Sequence, residues 1–97
     1  MTQSAVSIYR GGSVEVVAPV AKRLKAAYLK LGVGYRLSRF ETGPNAGDWL
    51  VVVTYDAANG EALQAAITKD PDVQQAFADI AKFATRVSRE VVTDLDL

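Results

Sequence analysis

The chain has 97 residues, of which 49% are hydrophobic and 23% are charged, and its 11 basic side chains balance its 11 acidic ones. This length predicts one domain over residues 1–97 with the composition of a globular protein. Because the chain contains no cysteine and no histidine, disulfides, Ser/His/Asp and Cys/His nucleophilic sites and zinc sites built on those ligands are excluded. With no apolar run of membrane-spanning length and no visible signal peptide, we expect a cytoplasmic protein that does not bind membranes.

The charges are distributed unevenly along the chain. Up to Asp48, seven basic side chains face three acidic ones, whereas the remainder carries four basic and eight acidic side chains. A solvated basic face on the first helix and a solvated acidic face on the second explain this distribution. The alternative is that the basic part of one copy packs against the acidic part of another. A nucleic-acid partner is not predicted, because the chain has no positive excess and no aromatic side chains interleaved with the basic ones.

The N-terminal third predicts a strand followed by a helix. Residues 5–10 alternate in hydrophobicity as a half-buried strand does, and Gly11-Gly12 ends that strand. Apolar residues then recur at helical spacing over 17–31. Ser13 is the expected N-cap. Pro19 would remove a hydrogen bond inside this helix, so the helix either begins one residue before the proline or has a kinked first turn.

Two strands joined by a short loop follow. Residues 35–41 and 49–55 have strand patterns, and the segment between them, Thr-Gly-Pro-Asn-Ala-Gly-Asp over 42–48, is dense in turn-forming residues. The second of these strands is apolar on both faces. We therefore expect it to be covered on both sides and to lie inside the sheet.

The last third predicts a helix in two parts and a final strand. Asn59 is the expected N-cap of the first part, and Asp70-Pro71 restarts the helix with Asp70 as N-cap and Pro71 at the first helical position. The second part carries an apolar stripe that ends at Ala81 and Ala84. Residues 86–95 alternate again, as a fourth strand.

The order β-α-β-β-α-β predicts an α+β, ferredoxin-like fold, in which a four-stranded antiparallel sheet carries its helices on one face. Helices on one face leave the other face open, yet the strand over 49–55 is apolar on both sides. A second copy of the chain is the simplest cover. We therefore expect a homodimer formed through this sheet face.

The element order, the hairpin segment 42–49 leading into 50–53, and Lys69-Asp70-Pro71 followed by Phe77 resemble the dimeric α/β-barrel superfamily. This superfamily includes antibiotic-biosynthesis-type monooxygenases, haem-degrading relatives, stress-responsive barrel proteins and NIPSNAP-like proteins. The resemblance implies that two sheets close into a dimeric α/β barrel and that each monomer keeps a pocket between its helices and its sheet. Monooxygenases of this type place Asn, Trp and His around the substrate. This chain has no histidine for that position or for a haem ligand, and we expect no cofactor.

Aromatic and cationic side chains remain as candidates for ligand binding. The four that we select are Tyr28, Trp49, Tyr55 and Arg89, from a wider set that adds Tyr9, Tyr35, Arg36, Arg39, Arg86 and Glu90. Tyr28 lies on the apolar stripe of the first helix and Tyr55 on the internal strand, so their hydroxyls could serve an apolar pocket. Core packing is the simpler explanation of a tyrosine at either position.

Arg89 is predicted to lie on the same strand face as Val87 and Val91. An arginine in that position should line a cavity or be paired. Pairing with Glu90 or Glu41 as a salt bridge at an interface is favoured over a catalytic role.

Metal and phosphate sites are not predicted. Asp70, Asp72 and Asp79 form one conceivable carboxylate set and Asp94 with Asp96 another, but helix capping and a terminal position explain them. The segment 10–13 (Arg-Gly-Gly-Ser) precedes a helix, where a phosphate could bind, yet it lacks the further glycines and the lysine of phosphate loops. An ordinary strand-to-helix turn is favoured.

Two functions are compatible with this sequence. In the first, a pocket binds a small apolar or aromatic molecule, with a monooxygenase-like activity that needs no cofactor and in which a Tyr or Trp stabilises a substrate radical or anion. In the second, the protein is a non-catalytic association or stress-response module. No catalytic residue can be assigned from the sequence.

Overall fold

The computed structural model describes residues 1–95 and contains the predicted order of elements. The elements are β1 (Thr2–Arg10), α1 (Val14–Lys30), β2 (Gly34–Arg39), β3 (Trp49–Asp56), a 3-10 turn (Ala57–Asn59), α2 (Gly60–Lys69), α3 (Pro71–Ile80) and β4 (Thr85–Thr93). The four strands form one antiparallel sheet in the order β2-β3-β1-β4. This order confirms the α+β, ferredoxin-like fold and the internal position of β3. The sheet of a single chain is open, so a closed barrel needs a second copy.

Helix α1 begins several residues before Pro19, and not next to it as one of the two predicted alternatives required. Val14 is its first residue, and Pro19 lies inside the helix, so a start next to the proline is wrong. The hydrogen bond that the proline cannot make would run to the carbonyl of Glu15 in the exposed first turn, where water can replace it. Ser13 occupies the N-cap position, but its side chain makes no capping bond; its carbonyl accepts from the amides of Val16 and Val17 instead.

The second helical region is divided as predicted at Asp70-Pro71. The Asp70 carboxylate accepts hydrogen bonds from the amides of Asp72 and Val73 at 3.0 and 3.1 Å, which confirms its N-cap role. Asn59 occupies the N-cap position of α2, as predicted, but its side chain, like that of Ser13, makes no capping bond.

Helix α3 ends at Ile80, so the predicted stripe is too long: Ala81 and Ala84 lie beyond the last helical residue. In the connection to β4, Phe83 and Ala84 approach the glycine turn that follows β1. The apolar side chains after Ile80 therefore serve a tertiary contact rather than the face of a helix.

Helix α1 packs on α3, and the largest fully buried side chains, Leu24 of α1 and Val73 of α3, belong to the core cluster that joins these helices. Charged side chains at the edges of the contact also pair. Arg23 donates to Asp79 at 2.8 Å, and Lys30 donates to Asp72 at 3.2 Å. Some basic side chains of α1 thus pair with acidic side chains of α3 in the same chain. The distribution of charges along the sequence did not reveal this pairing.

Strand β4 contains an irregularity that the sequence pattern does not show. Its register against β1 shifts between Ile8 and Tyr9, because Ile8 lies opposite Ser88 whereas Tyr9 lies opposite Arg86. Val87 is the extra residue of this β-bulge. The regular alternation predicted over 86–95 therefore fails at this point, because Arg86 and Arg89 lie opposite Tyr9 and Ser7, which share one face of β1. The strand also ends at Thr93 rather than at residue 95.

The three helices lie over one face of the sheet, the face that carries Ser7 and Tyr9. The opposite face presents a row of half-buried apolar side chains: Val6, Ile8, Leu50 and Val52. No helix in the described residues has both the length and the apolar character needed to cross a membrane.

Candidate functional site

A cavity of about 230 Å³ lies between the helices and the sheet. Every strand and all three helices contribute to its lining, which is mostly apolar. It forms because α3 packs on α1 and α2 packs on α3, while both α2 and α3 make few contacts with the strands beneath them. A shallower depression shares several of these residues, Tyr9, Ile80 and Arg86 among them, so the cavity continues to the surface between the end of α3 and the start of β4.

All four selected candidates line this one cavity. Tyr28 comes from α1, Trp49 and Tyr55 from the two ends of β3, and Arg89 from β4. These side chains come from distant parts of the sequence, and the sheet register brings them onto a common face. Whether they bind a ligand there stays a prediction.

A cluster of tyrosines occupies part of the lining. The rings of Tyr28 and Tyr35 lie 5.7 Å apart between centroids at an interplanar angle of 33°. Burial raises the pKa of Tyr28 to about 12, with Tyr9 raising it further and Arg89 opposing the shift. Burial likewise raises the pKa of Tyr35, with contributions from Tyr28 and Tyr9. Both phenols are therefore neutral at physiological pH.

The hydroxyls of this cluster are free to interact with a ligand. Within residues 1–95, Tyr9, Tyr28, Tyr35 and Tyr55 make no side-chain hydrogen bond, and no fully buried side-chain oxygen or nitrogen is left without a partner. The tyrosine oxygens must therefore retain access to the open space of the cavity or to solvent. Polar groups that converge on an apolar cavity are typical of small-molecule sites.

Trp49 has a structural role beside its position in the lining. Its indole nitrogen donates to the carbonyl oxygens of Gly11 and Gly12, at 3.1 and 3.3 Å, so this donor is already used within the fold. The guanidinium of Arg39 lies 5.8 Å from the centre of its ring, within the range of a cation–π contact. Trp49 is buried, and it also contributes to the lining of the cavity.

The turn over residues 10–13 serves packing, as the sequence favoured. A Cβ on Gly11 would lie 2.4 Å from the carbonyl oxygen of Phe83, and one on Gly12 would lie 2.7 Å from the Phe83 ring. Arg10 is engaged by Asp48 through two hydrogen bonds of 3.0 and 3.1 Å. The glycines therefore permit a close approach of two chain segments, and the arginine holds the start of β3.

The wider set of candidates divides between the two faces of the sheet. Tyr9, Tyr35 and Arg86 line the cavity. Arg36 lies opposite Val52 and Glu90 lies opposite Val6, on the face without helices. Within the chain Glu41 pairs with Arg39 at 3.3 Å, so neither expected carboxylate partner of Arg89 engages it in this monomer. Pairing across an interface stays a prediction.

The lining also contains residues that were not among the candidates, including Ser7, Gln64 and Phe83. Ser7 has a signal in the sequence, because it alternates with Ala5 and Tyr9 along β1. Gln64 and Phe83 have no such signal in the sequence. A polar residue on a short helix is usually a surface residue, and an aromatic residue in a connection is usually a core residue.

The carboxylates considered for a metal have other partners. Asp70 caps α3, Asp72 pairs with Lys30, and Asp79 binds Arg23 and Lys82. Among residues 1–95, no group of three carboxylates is placed to hold a metal ion. Asp96, the second member of the C-terminal pair, lies outside the described residues.

Comparison with known proteins gives matches in structure only. No family model matches the sequence, and no curated protein gives a significant sequence match. A protein from Bacteroides thetaiotaomicron of unknown function, described as a possible oxidoreductase, is 21% identical with a TM-score of 0.68, over 94% of this chain and 95% of its own. The cofactor-independent oxygenase SnoaB from Streptomyces nogalater is 11% identical with a TM-score of 0.71, over 99% and 95%.

A dimeric protein of unknown function with a ferredoxin-like fold, from Bacteroides fragilis, is 13% identical with a TM-score of 0.59, over 94% of this chain and 92% of its own. Identities this low demonstrate a common fold and leave the chemistry open. The similarity extends over nearly the whole chain in each case. The comparisons therefore confirm the predicted ferredoxin-like fold.

Proposed function

We propose that this protein binds a small apolar or aromatic molecule in the cavity between its helices and its sheet. The observation that carries the proposal is the set of tyrosine hydroxyls that make no side-chain hydrogen bond within residues 1–95 and lie in a largely apolar cavity. An apolar cavity of about 150 Å³ accepts benzene, so a volume of about 230 Å³ accommodates a molecule of one or two rings. Such a site combines apolar burial with a few orienting polar groups.

We further propose that the bound molecule is oxygenated without a cofactor, as the description of SnoaB states for that protein. In such a reaction O2 gives one oxygen atom to the substrate and the other leaves as water, while the substrate supplies the two hydrogens and the electrons. The neutral phenols of Tyr28 and Tyr35 can donate hydrogen bonds to a substrate oxygen on which negative charge develops. Because the chain has no histidine and both phenols keep their protons, the substrate must be acidic enough to ionise without a strong protein base.

The second candidate is a non-catalytic association or stress-response module. The donor of Trp49 is already used by the glycine turn, and the uncovered sheet face offers an apolar surface for association. Under both candidates we propose a homodimer in which two copies join through that face. The dimeric neighbour from Bacteroides fragilis, which has the same fold, supports this assembly.

Native mass spectrometry of freshly purified protein, followed by titration with hydroxynaphthalenes, tests the first proposal. We expect a dimer, binding of 1-naphthol, and a loss of at least about tenfold in affinity in Val51→Phe, which fills the cavity. Val16→Phe, on the exposed side of α1 and away from both the cavity and the sheet, is the control and should bind as the wild type does. If no hydroxynaphthalene binds, the ligand-binding proposal is wrong.

Oxygen uptake with the same compounds separates the two candidates. The oxygenase proposal requires uptake above the rate with heat-denatured protein, with loss of that excess in Val51→Phe. Binding without uptake across the panel would contradict oxygenation and favour the non-catalytic module.

A further inference from the structure

The β-bulge in β4 places two arginines on the face of the sheet that lines the cavity. Arg89 lies opposite Ser7 and Arg86 lies opposite Tyr9, and both of these β1 residues belong to the cavity. In a regular strand, residues three apart point to opposite faces. The extra residue at Val87 changes this, so both guanidinium groups come to the same site. Bulges that redirect side chains in this way are frequent beside functional sites.

Among residues 1–95, no acidic side chain lies in the lining of the cavity to balance these two charges. Arg86 and Arg89 are the charged residues that these described residues contribute to it, and neither forms a salt bridge within the same range. The nearest acid in the sequence, Glu90, lies on the opposite face of the sheet. The site therefore has a net positive charge of two at one side of an apolar space.

The neutral polar groups of the cavity add to this preference. Tyr9 and Tyr28 lie near enough to affect one another, and Arg89 acts electrostatically on Tyr28. Hydroxyls without a protein partner and two guanidinium groups together offer far more hydrogen-bond donors than acceptors. A ligand that satisfies them must present acceptor oxygens, and an oxyanion satisfies both the donors and the charge.

From this arrangement we infer that the ligand of the cavity is an aromatic or similarly apolar anion, with a carboxylate or an equivalent oxyanion at one end that is bound by Arg86 and Arg89. This inference rests on the proposed ligand-binding function and specifies its ligand class. The apolar body lies under the helices, and the anionic end lies at the opening between α3 and β4, where Arg86 also borders the surface depression. An anion entering there keeps part of its hydration, which lowers the cost of binding a charge.

The competing explanation is that both arginines are merely solvated, since both are exposed side chains on an edge strand. Solvated arginines would not distinguish an anionic ligand from a neutral ligand of the same shape. A pair of probes that differ only in charge therefore decides between the two explanations. We choose 2-naphthoate and 2-naphthamide, whose two-ring body is of a size that the cavity accommodates.

The experiment is a calorimetric titration of the full-length protein at neutral pH with each probe. We expect 2-naphthoate to bind at least about tenfold more tightly than 2-naphthamide. In the double variant Arg86→Gln/Arg89→Gln this ratio should fall to near one, because 2-naphthoate loses a charge attraction that 2-naphthamide does not have. Arg36→Gln removes an exposed cation from the opposite face of the sheet and should keep the ratio of the wild type. Raising the salt concentration should reduce the ratio in the wild type, because part of the attraction is between exposed charges.

Equal affinity for the two probes in the wild type would overturn the anionic ligand class and leave the binding proposal intact. A ratio that survives in the double variant would also overturn it, since the anion would then be recognised elsewhere. If neither probe binds, this inference fails, and the titration with 1-naphthol shows whether the proposed binding function fails with it. The double variant removes exposed side chains, so its circular dichroism spectrum and melting temperature should match those of the wild type.

Discussion

At the scale of single residues, the Trp49 indole nitrogen links β3 to the turn between β1 and α1 through its hydrogen bonds to the carbonyls of Gly11 and Gly12. Trp49→Phe keeps an aromatic ring but removes the indole N–H, so the carbonyls of Gly11 and Gly12 lose their hydrogen bond from this side chain. We expect the free energy of unfolding to fall by about 1–2 kcal/mol. Urea denaturation followed by circular dichroism measures this, because the substitution removes the single tryptophan of the chain.

Tyr55→Phe is the matched control for that measurement. Tyr55 also lies on β3 and lines the cavity, but its hydroxyl makes no side-chain hydrogen bond in the described residues. The free energy of unfolding of Tyr55→Phe should therefore stay within about 0.5 kcal/mol of the wild-type value. Equal stability of Trp49→Phe and Tyr55→Phe would show that the indole hydrogen bonds contribute nothing.

Because the pKa of Tyr28 is raised in the folded protein, we expect the protein to lose stability at high pH. Burial raises its pKa from 10.0 to about 12 in the folded protein, so folding favours the protonated phenol. Its contribution to stability is complete below pH 10 and is lost as the pH rises from about 10 through 12, because the unfolded chain releases the proton first. Denaturation across this range should give a shallower decline in Tyr28→Phe than in the wild type. Identical slopes in the two proteins would contradict the effect of burial.

At the scale of elements, the turn between β1 and α1 allows two chain segments to approach closely. Gly11 has a φ of +110°, and a Cβ there would meet the carbonyl oxygen of Phe83 at 2.4 Å. Gly43, in the loop between β2 and β3, has a φ of +87° with open space around it. The two glycines share the backbone requirement and differ in the contact, so they form a matched pair.

Gly43→Ala should cost roughly 1 kcal/mol, from the backbone conformation alone. Gly11→Ala should cost about 2–3 kcal/mol, since the chain must also move Phe83 away from the added methyl group. Thermal and urea denaturation of both variants measure the difference. Equal losses would mean that the connection after α3 moves freely and does not define this end of the cavity.

The elements also show what a sequence can and cannot predict. Strand β3 and the helix break at Asp70-Pro71 are predictable, because each depends on local chemistry: apolar side chains on both faces, and a capping residue before a proline. The placement of Arg86 and Arg89 together in the cavity is not predictable from the sequence. Period-two alternation continues through 86–95 without a break, whereas the bulge at Val87 is a property of pairing with β1. The role of Trp49 is hidden for the same reason, since its hydrogen bonds run to a turn 37 and 38 residues away.

At the scale of the whole molecule, the layered arrangement gives the two faces of the sheet different environments. One face lines the cavity under three helices. The other carries half-buried apolar residues, including Val52, which lies on the internal strand β3 and pairs with Val6 on β1. An apolar row along two internal strands remains partly in contact with water unless a second molecule covers it, and burying it stabilises a complex by the hydrophobic effect.

The proposed homodimer through this face predicts that Val52→Glu dissociates it. A carboxylate at the centre of an apolar interface must lose its hydration without a partner, so the dimer dissociation constant should rise at least about a hundredfold. Val16→Glu is the control, because Val16 is 43% exposed on α1, away from the sheet. Sedimentation equilibrium should give a dimer for the wild type and for Val16→Glu, and a folded monomer for Val52→Glu. A wild-type monomer would refute the dimer, whereas a Val52→Glu dimer would place the contact on another surface. A folded monomer that still binds 1-naphthol would further show that the cavity belongs to one chain.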